Sequence, residues 1–234
     1  TDNGCYGFDI DSDLPELVHT VSEIPQKFFI RVGMMNPMYM PRIRDSLLKS
    51  FESTKVFKFL HIPVQSGSDK VLNDMKRGHT AQTFRDVTNH FRDKFEKFTI
   101  STDVIVGFPT ETEGDFEQTL ELLQETKPDI VNLSRYSRRP GTDAAEMKQI
   151  DVSEVKRRSK IAYELITKIS NENNRKWIGW EGHVIFDEEY NDQVRGRNFA
   201  YKPIFIKERP EIGQILNVKI TDATNHSLIG KITS

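Results

Sequence analysis

Three stretches of the sequence place polar side chains at the end of an apolar run, where a ligand could meet them. In His61-Ile62-Pro63-Val64-Gln65-Ser66-Gly67-Ser68, the Gln65 amide and the serine hydroxyls can hydrogen-bond ribose hydroxyls, and Gly67 lets backbone approach a ligand closely. The same residues can form a ligand-free turn in which Ser68 caps the next helix. His61, alone on its strand, reads as a satisfied core or rim histidine rather than a metal ligand. Within residues 99–109, Asp103 interrupts an apolar strand and needs a partner, either Arg31 or a ligand donor. Gly107-Phe108 then offers an edge for an adenine. Arg135, Arg138 and Arg139 flank Tyr136, a set able to bind phosphate and stack on bases, or an exposed basic loop. The sequence holds no phosphate-binding GxxxxGK[ST] loop, GxSxG elbow, HExxH or paired CxxC pattern.

Alternating strands and helices have to position these residues. Residues 28–32 read as a strand, followed by Asn36-Pro37 and a helix over 42–51. Residues 57–64 form a second strand, followed by a short helix ending at Gly78. Thr80 caps a helix whose apolar face is Phe84, Val87, Phe91 and Phe95. Residues 98–106 form a third strand, and Thr112 with Asp115 starts a helix that buries Phe116, Leu120 and Leu123. A fourth strand begins at Ile130. Strands alternating with helices mean parallel βαβ units, which bind ligands at the carboxyl ends of their strands. Four strands do not close an eight-stranded barrel, so the sheet is open or incomplete.

Residues 151–174 read as a long helix, with Ser153 as its cap and Val155, Ala162, Leu165, Ile166 and Ile169 on one side. After Trp177 the pattern becomes short β-like runs between turns, which suits a small antiparallel β-barrel. The expected division is an α/β domain over 1–150, a connecting helix over 151–174 and a β module over 175–234.

The chain of 234 residues carries 33 Lys+Arg, 35 Asp+Glu and one cysteine, Cys5. One thiol excludes a disulfide framework and a Cys-only metal or cluster site made by these residues alone. The sequence shows no apolar run of membrane-spanning length and reads as soluble and cytosolic (cytoplasmic). Its net charge of -2 conceals a basic stretch: residues 135–176 hold eleven Lys/Arg against six Asp/Glu. Such a patch can bind a polyanion or be a solvated helix face.

The stretches TDNGCYGFDI, FIRVGMMNP, FLHIPVQSGSDKVLNDMKRGHT, STDVIVGFPTETEGDFEQTL and YSRRPGTDAAEM resemble the radical S-adenosylmethionine methylthiotransferases that modify tRNA. The C-terminal 60 residues look like the TRAM module of those enzymes, and RVGMMNP resembles their archaeal and eukaryotic branch. The resemblance implies a partial parallel (β/α) barrel, the C-terminal portion of a radical SAM domain, followed by a TRAM barrel. It implies addition of a methylthio group to C2 of N6-threonylcarbamoyladenosine beside the anticodon. It also implies S-adenosylmethionine and two 4Fe-4S clusters as cofactors of the full-length parent. The family's cluster cysteines have no counterpart in this sequence, so the chain alone is expected to be inactive and to bind no cofactor tightly.

The resemblance places Arg31, Gln65, Ser66, Asp103, Gly107 and Phe108 around S-adenosylmethionine. A tRNA anticodon stem-loop would lie on Arg135, Arg138, Arg139, Lys156, Arg157, Arg195, Arg197, Tyr201 and Lys202, with Phe199 as the other candidate aromatic platform. The remaining N-terminal part of the parent is the expected intramolecular partner. Two other readings are a non-catalytic RNA-binding protein of the same architecture and a methylthiotransferase acting on a ribosomal protein.

Overall fold

The computed structural model describes residues 2–233, so the outermost residue of each expected end domain lies outside the description. The first helix, α1 (Leu14–Ser22), has no counterpart in the sequence reading. Asp13 caps it by accepting the Glu16 N–H, Pro15 occupies its first turn, and it buries Leu14 and Val18. The next helix, α2 (Met40–Ser50), buries Met40, Ile43 and Leu47 at spacings of three and four.

The expected strand over 28–32 is reduced to a single bridge between Ile30 and Val56. Its backbone meets residues 55–57 around Ile30 and next bonds to the strand region where Met35 N–H reaches His61 O. Phe29 and Arg31, on either side of Ile30, are exposed. The second expected strand is also shorter, with only β1 (Phe59–His61) regular. Pro63 has no N–H to give, and the Thr102 hydroxyl takes over the ladder, donating to Ile62 O and accepting from Val64 N–H.

The chain continues through α3 (Asp69–Asp74), α4 (Ala81–Lys94), β2 (Thr99–Val106) and α5 (Glu113–Thr126). Ser68, Thr80 and Thr112 cap the three helices. Next come β3 (Ile130–Arg135), the short α6 (Asp143–Glu146) and the 24-residue α7 (Val152–Arg175). The cap of α7 is Asp151, not Ser153, because Ser153 already lies in the first turn and gives both its N–H and hydroxyl to the Asp151 carboxylate. Strands β1, β2 and β3 pair in parallel in that order, forming a three-stranded sheet rather than four strands. Its core joins Leu60, Ile100, Val104 and Val106 with Phe84, Phe91 and Phe116 from the helices, and with Ala162 and Ile166 from α7.

Strands β4 (Glu181–Tyr190), β5 (Gln193–Arg197), β6 (Pro203–Ile206), β7 (Ile215–Ala223) and β8 (Leu228–Ile232) close a barrel in the order β4-β5-β6-β8-β7. Alternate residues Val184, Phe186, Val194, Ile204, Ile206, Val218 and Ile220 fill it, with Trp177 packed against them. No described helix is long and apolar enough to cross a membrane.

Candidate functional site

The carboxyl ends of β1, β2 and β3 open onto a cavity of about 720 Å³, within the size range of small-molecule sites. From the sequence-derived set, Gln65, Asp103, Phe108, Arg135 and Arg139 line it. Gln65 is buried with φ at 72°, in the left-handed region. It is held there because its N–H bonds Asp103 O and its C=O accepts the Ile105 N–H. Asp103 Oδ1 accepts from Asn132 Nδ2 at 2.7 Å and lies 3.1 Å from His61 Nε2. Burial alone would raise the Asp103 carboxyl; the bonds from His61 and Asn132, with the positive charge of Arg77, outweigh burial and hold it below its ordinary value. The carboxylate is therefore ionised at neutral pH. Phe108 packs edge-on against Tyr136, with centroids 5.4 Å apart.

Other expected ligand contacts serve the scaffold. Ser66 is fully buried, with its hydroxyl shared between Thr119 and the Ser68 N–H, so it does not line the cavity. Gly67 lets the chain approach α5 rather than a ligand: a Cβ there would clash with the backbone of Gln118 and Thr119. Gly107 has φ at +81°, and a Cβ on it would fall 2.7 Å from Val155 of α7, so it serves helix packing. Arg31 does not pair with Asp103. Its guanidinium carbon sits 5.3 Å from the ring centres of both Phe59 and Tyr201, a cation–π arrangement.

The expected RNA contacts divide in the same way. Arg135 and Arg139 line the cavity, while Arg138 donates to Ala145 O and fixes the loop before α6. Lys156 is exposed on α7, and Arg157 bonds the carboxylates of Glu113 and Glu154. Arg195 and Arg197 both reach Asp187 on the barrel. Lys202 cannot contact RNA as placed, because it is 2% exposed and bonded to Asp129 and Asn174. Tyr201 is also committed, its ring packed on Phe57 and Phe59 and 4.5 Å from the Arg197 guanidinium. Phe199 remains 41% exposed beside Trp177 and Trp180.

The sequence reading did not single out Arg77, Asn132 and Ser134, which also line the cavity. Asn132 and Ser134 alternate with Val131 and Leu133 along β3, a period-2 signal that was available. Arg77 depends on how α3 ends. Lys76 adopts φ of 57°, its N–H bonds Asn73 O, and the Arg77 N–H bonds Leu72 O. This is a Schellman termination, and it turns Arg77 back toward the sheet rim.

A profile of the radical SAM superfamily matches residues 7–123, and a TRAM domain profile matches residues 184–233. The chain belongs to the radical SAM superfamily. A protein of Archaeoglobus fulgidus named probable threonylcarbamoyladenosine tRNA methylthiotransferase is 43% identical over 100% of this chain and 55% of its own length. The threonylcarbamoyladenosine tRNA methylthiotransferase of Drosophila melanogaster is 37% identical over 99% of this chain and 42% of its own length. The chain thus spans about half the length of the curated relatives it matches. The solved structure of the radical SAM enzyme coproporphyrinogen III oxidase from Escherichia coli shares the fold. It has a TM-score of 0.51 and 16% identity, over 88% of this chain and 52% of that one.

The superfamily implies S-adenosylmethionine and an iron–sulfur cluster. The cavity fits the first: it offers the Gln65 amide, the Asp103 carboxylate and an aromatic edge, and the buried Tyr136 hydroxyl and Arg77 Nε have no protein partner. The described residues do not fit the second. Cys5 is an exposed lone thiol, and no group of three or more His, Cys, Asp or Glu among them could hold a metal.

Proposed function

We propose that this chain is the cofactor- and substrate-holding part of an enzyme that adds a methylthio group to C2 of N6-threonylcarbamoyladenosine next to a tRNA anticodon. The observation that carries this reading is the match, over essentially the whole of this chain and about half the length of the relatives, to proteins of that name, across a span that contains every residue of the cavity. S-adenosylmethionine supplies the methyl group and the source of the radical when bound. This chain's own residues bind and orient.

Gln65 and the Asp103 carboxylate hydrogen-bond ribose hydroxyls, and the Phe108–Tyr136 pair offers an aromatic edge to an adenine. Arg135 and Arg139, which enter no ion pair among the described residues, draw the stem-loop backbone to the cavity mouth. The exposed Phe199 gives the TRAM barrel a surface on which a base can stack.

Nucleoside mass spectrometry of tRNA from cells with and without the gene encoding this chain tests the reading. Loss of the methylthio derivative with accumulation of threonylcarbamoyladenosine is expected. An unchanged nucleoside profile contradicts it.

A further inference from the structure

Strand β3 is the last strand of its sheet, so one row of its backbone amides and carbonyls has no strand partner. Between that edge, α7 and the β7–β8 turn lies a second cavity of about 340 Å³, small for a ligand site but roomy enough for one planar ring system. Its floor is the set of Asp129, Asn174 and Lys202, whose polar groups are spent on one another. Its walls carry Thr167, Asn225 and His226, all able to hydrogen-bond, and the ring of Tyr163, which is 54% exposed.

The position of this cavity matters as much as its lining. Asn132 lines both it and the rim cavity. The second cavity uses residues 129–133, and the rim cavity uses Asn132, Ser134 and Arg135. The offset is two to three residues, about 8 Å of strand, or one nucleotide step along an extended RNA. The approach is basic. Helix α7 starts at the rim, where Val155 packs on Gly107, and ends at Asn174, which donates to Thr224 O of the barrel. Between those ends Lys156, Lys160 and Tyr163 follow at spacings of four and three, so they share a face. Lys156 enters no ion pair among the described residues, and Lys160 reaches only Glu164, at 4.0 Å. An exposed ring, hydrogen-bonding side chains and lysines beside them suit a base on its phosphate backbone. A peptide strand on the β3 edge leaves the ring and the lysines without a role.

We propose that this cavity is a second RNA subsite, which takes the base next to the target adenosine while that adenosine occupies the rim cavity. Tyr163 stacks on the neighbouring base, and Asn225, His226 and the free edge of β3 meet its hydrogen-bonding edge. Lys156 and Lys160 hold the phosphates beside it. The subsite rests on the reading of the rim cavity as the place of the modified adenosine. It makes Tyr163 a specificity-determining residue, supplied by the helix that joins the two domains.

Fluorescence anisotropy with the 234-residue chain tests this. The RNAs are an intact anticodon stem-loop and two versions with an abasic site immediately before or immediately after the target adenosine. The proteins are wild type, Tyr163→Ala and Tyr163→Phe, and because the ring is exposed neither substitution disturbs the core. One abasic RNA should bind wild type about tenfold more weakly, the loss expected of one base–aromatic stack. Tyr163→Ala should lose about as much with intact RNA and nothing further with that abasic RNA. Tyr163→Phe should behave as wild type.

Losses that simply add, or no measurable binding of any stem-loop, overturn the inference. So does an RNA affinity that ignores Tyr163, which leaves the β3 edge to a peptide partner. Nucleoside analysis of cells separates the subsite from the reading beneath it. An unchanged profile with coupled losses removes the modification reading and keeps the base subsite. Loss of the methylthio derivative with additive losses keeps that reading and overturns the subsite.

Discussion

Lys202 of the barrel and Asp129, which immediately precedes β3, form a buried ion pair across the domain junction. Nζ lies 2.8 Å from Oδ1, and the side chains are 2% and 9% exposed. Asn174 at the end of α7 accepts a second bond from the same Nζ, and Lys58 N–H bonds Phe199 O nearby. These bonds fix the barrel against the sheet. Asp129→Leu leaves the buried Lys202 ammonium with Asn174 alone, so it should destabilise the chain by about 3–5 kcal/mol. Lys202→Met with Asp129→Leu should recover part of that loss in urea unfolding. A single variant as stable as wild type would show that the pair does not hold the junction.

The capping box of α5 should give the chain an acid-sensitive contribution to stability. Burial tends to raise the Asp115 carboxyl, but bonds from the Ser68 and Thr112 hydroxyls, the Thr112 N–H and Lys70 prevail and hold it well below the usual range. A depressed folded value contributes stability that is fully present above the unfolded value of about 4 and is lost as pH falls through the folded value. Asp115→Asn should therefore cost about 1.5–3 kcal/mol at pH 7. The gap to wild type should narrow steadily below about pH 4. A gap that stays constant to pH 2.5 would contradict the assignment.

Gly107 and Val155 should be coupled. Gly107→Ala places a side chain in the left-handed region, a strain of about 1–2 kcal/mol, and drives its Cβ into Val155. Val155→Ala added to it should relieve the clash but not the backbone strain, leaving a double-mutant coupling of about 0.5 kcal/mol or more. Thermal unfolding of the four proteins measures this, and strict additivity would place the two residues too far apart to touch.

Anticodon stem-loop binding should depend steeply on salt, and the cations should not contribute equally. Arg135→Gln with Arg139→Gln removes two unpaired charges and should flatten the plot of log affinity against log salt by about 0.7 for each phosphate left without its arginine. Arg195→Gln with Arg197→Gln removes charges already shared with Asp187 and should have a smaller effect. Fluorescence anisotropy at several salt concentrations separates the two pairs; equal slopes would reduce the cavity arginines to a solvated face.

Where the chemistry is local, the sequence was sufficient. Caps at Ser68, Thr80 and Thr112, the strand ending at Val106 and the β-rich module all follow from residue type and spacing. Positions decided by distant partners were not readable. Ser66 and Gly67 look like ligand contacts until Thr119 and Gln118 of α5 close over them. Lys202 looks like a surface cation until Asp129 arrives from 73 residues away. Arg77 required the left-handed Lys76, a conformation that nothing in its residue type announces. Pro63 was in plain view, but the rescue of its missing bond by Thr102 was not.

Photocrosslinking tests most directly whether the rim cavity receives the modified adenosine. An anticodon stem-loop with a photoreactive adenosine at the modified position is irradiated with the chain, and the crosslinked peptides are identified by mass spectrometry. The expected crosslinks fall on Phe108 and on Tyr136, at the ends of β2 and β3, and disappear when excess stem-loop without the photoreactive group is added. Crosslinks confined to the outer face of the barrel would contradict a substrate-holding cavity at this rim.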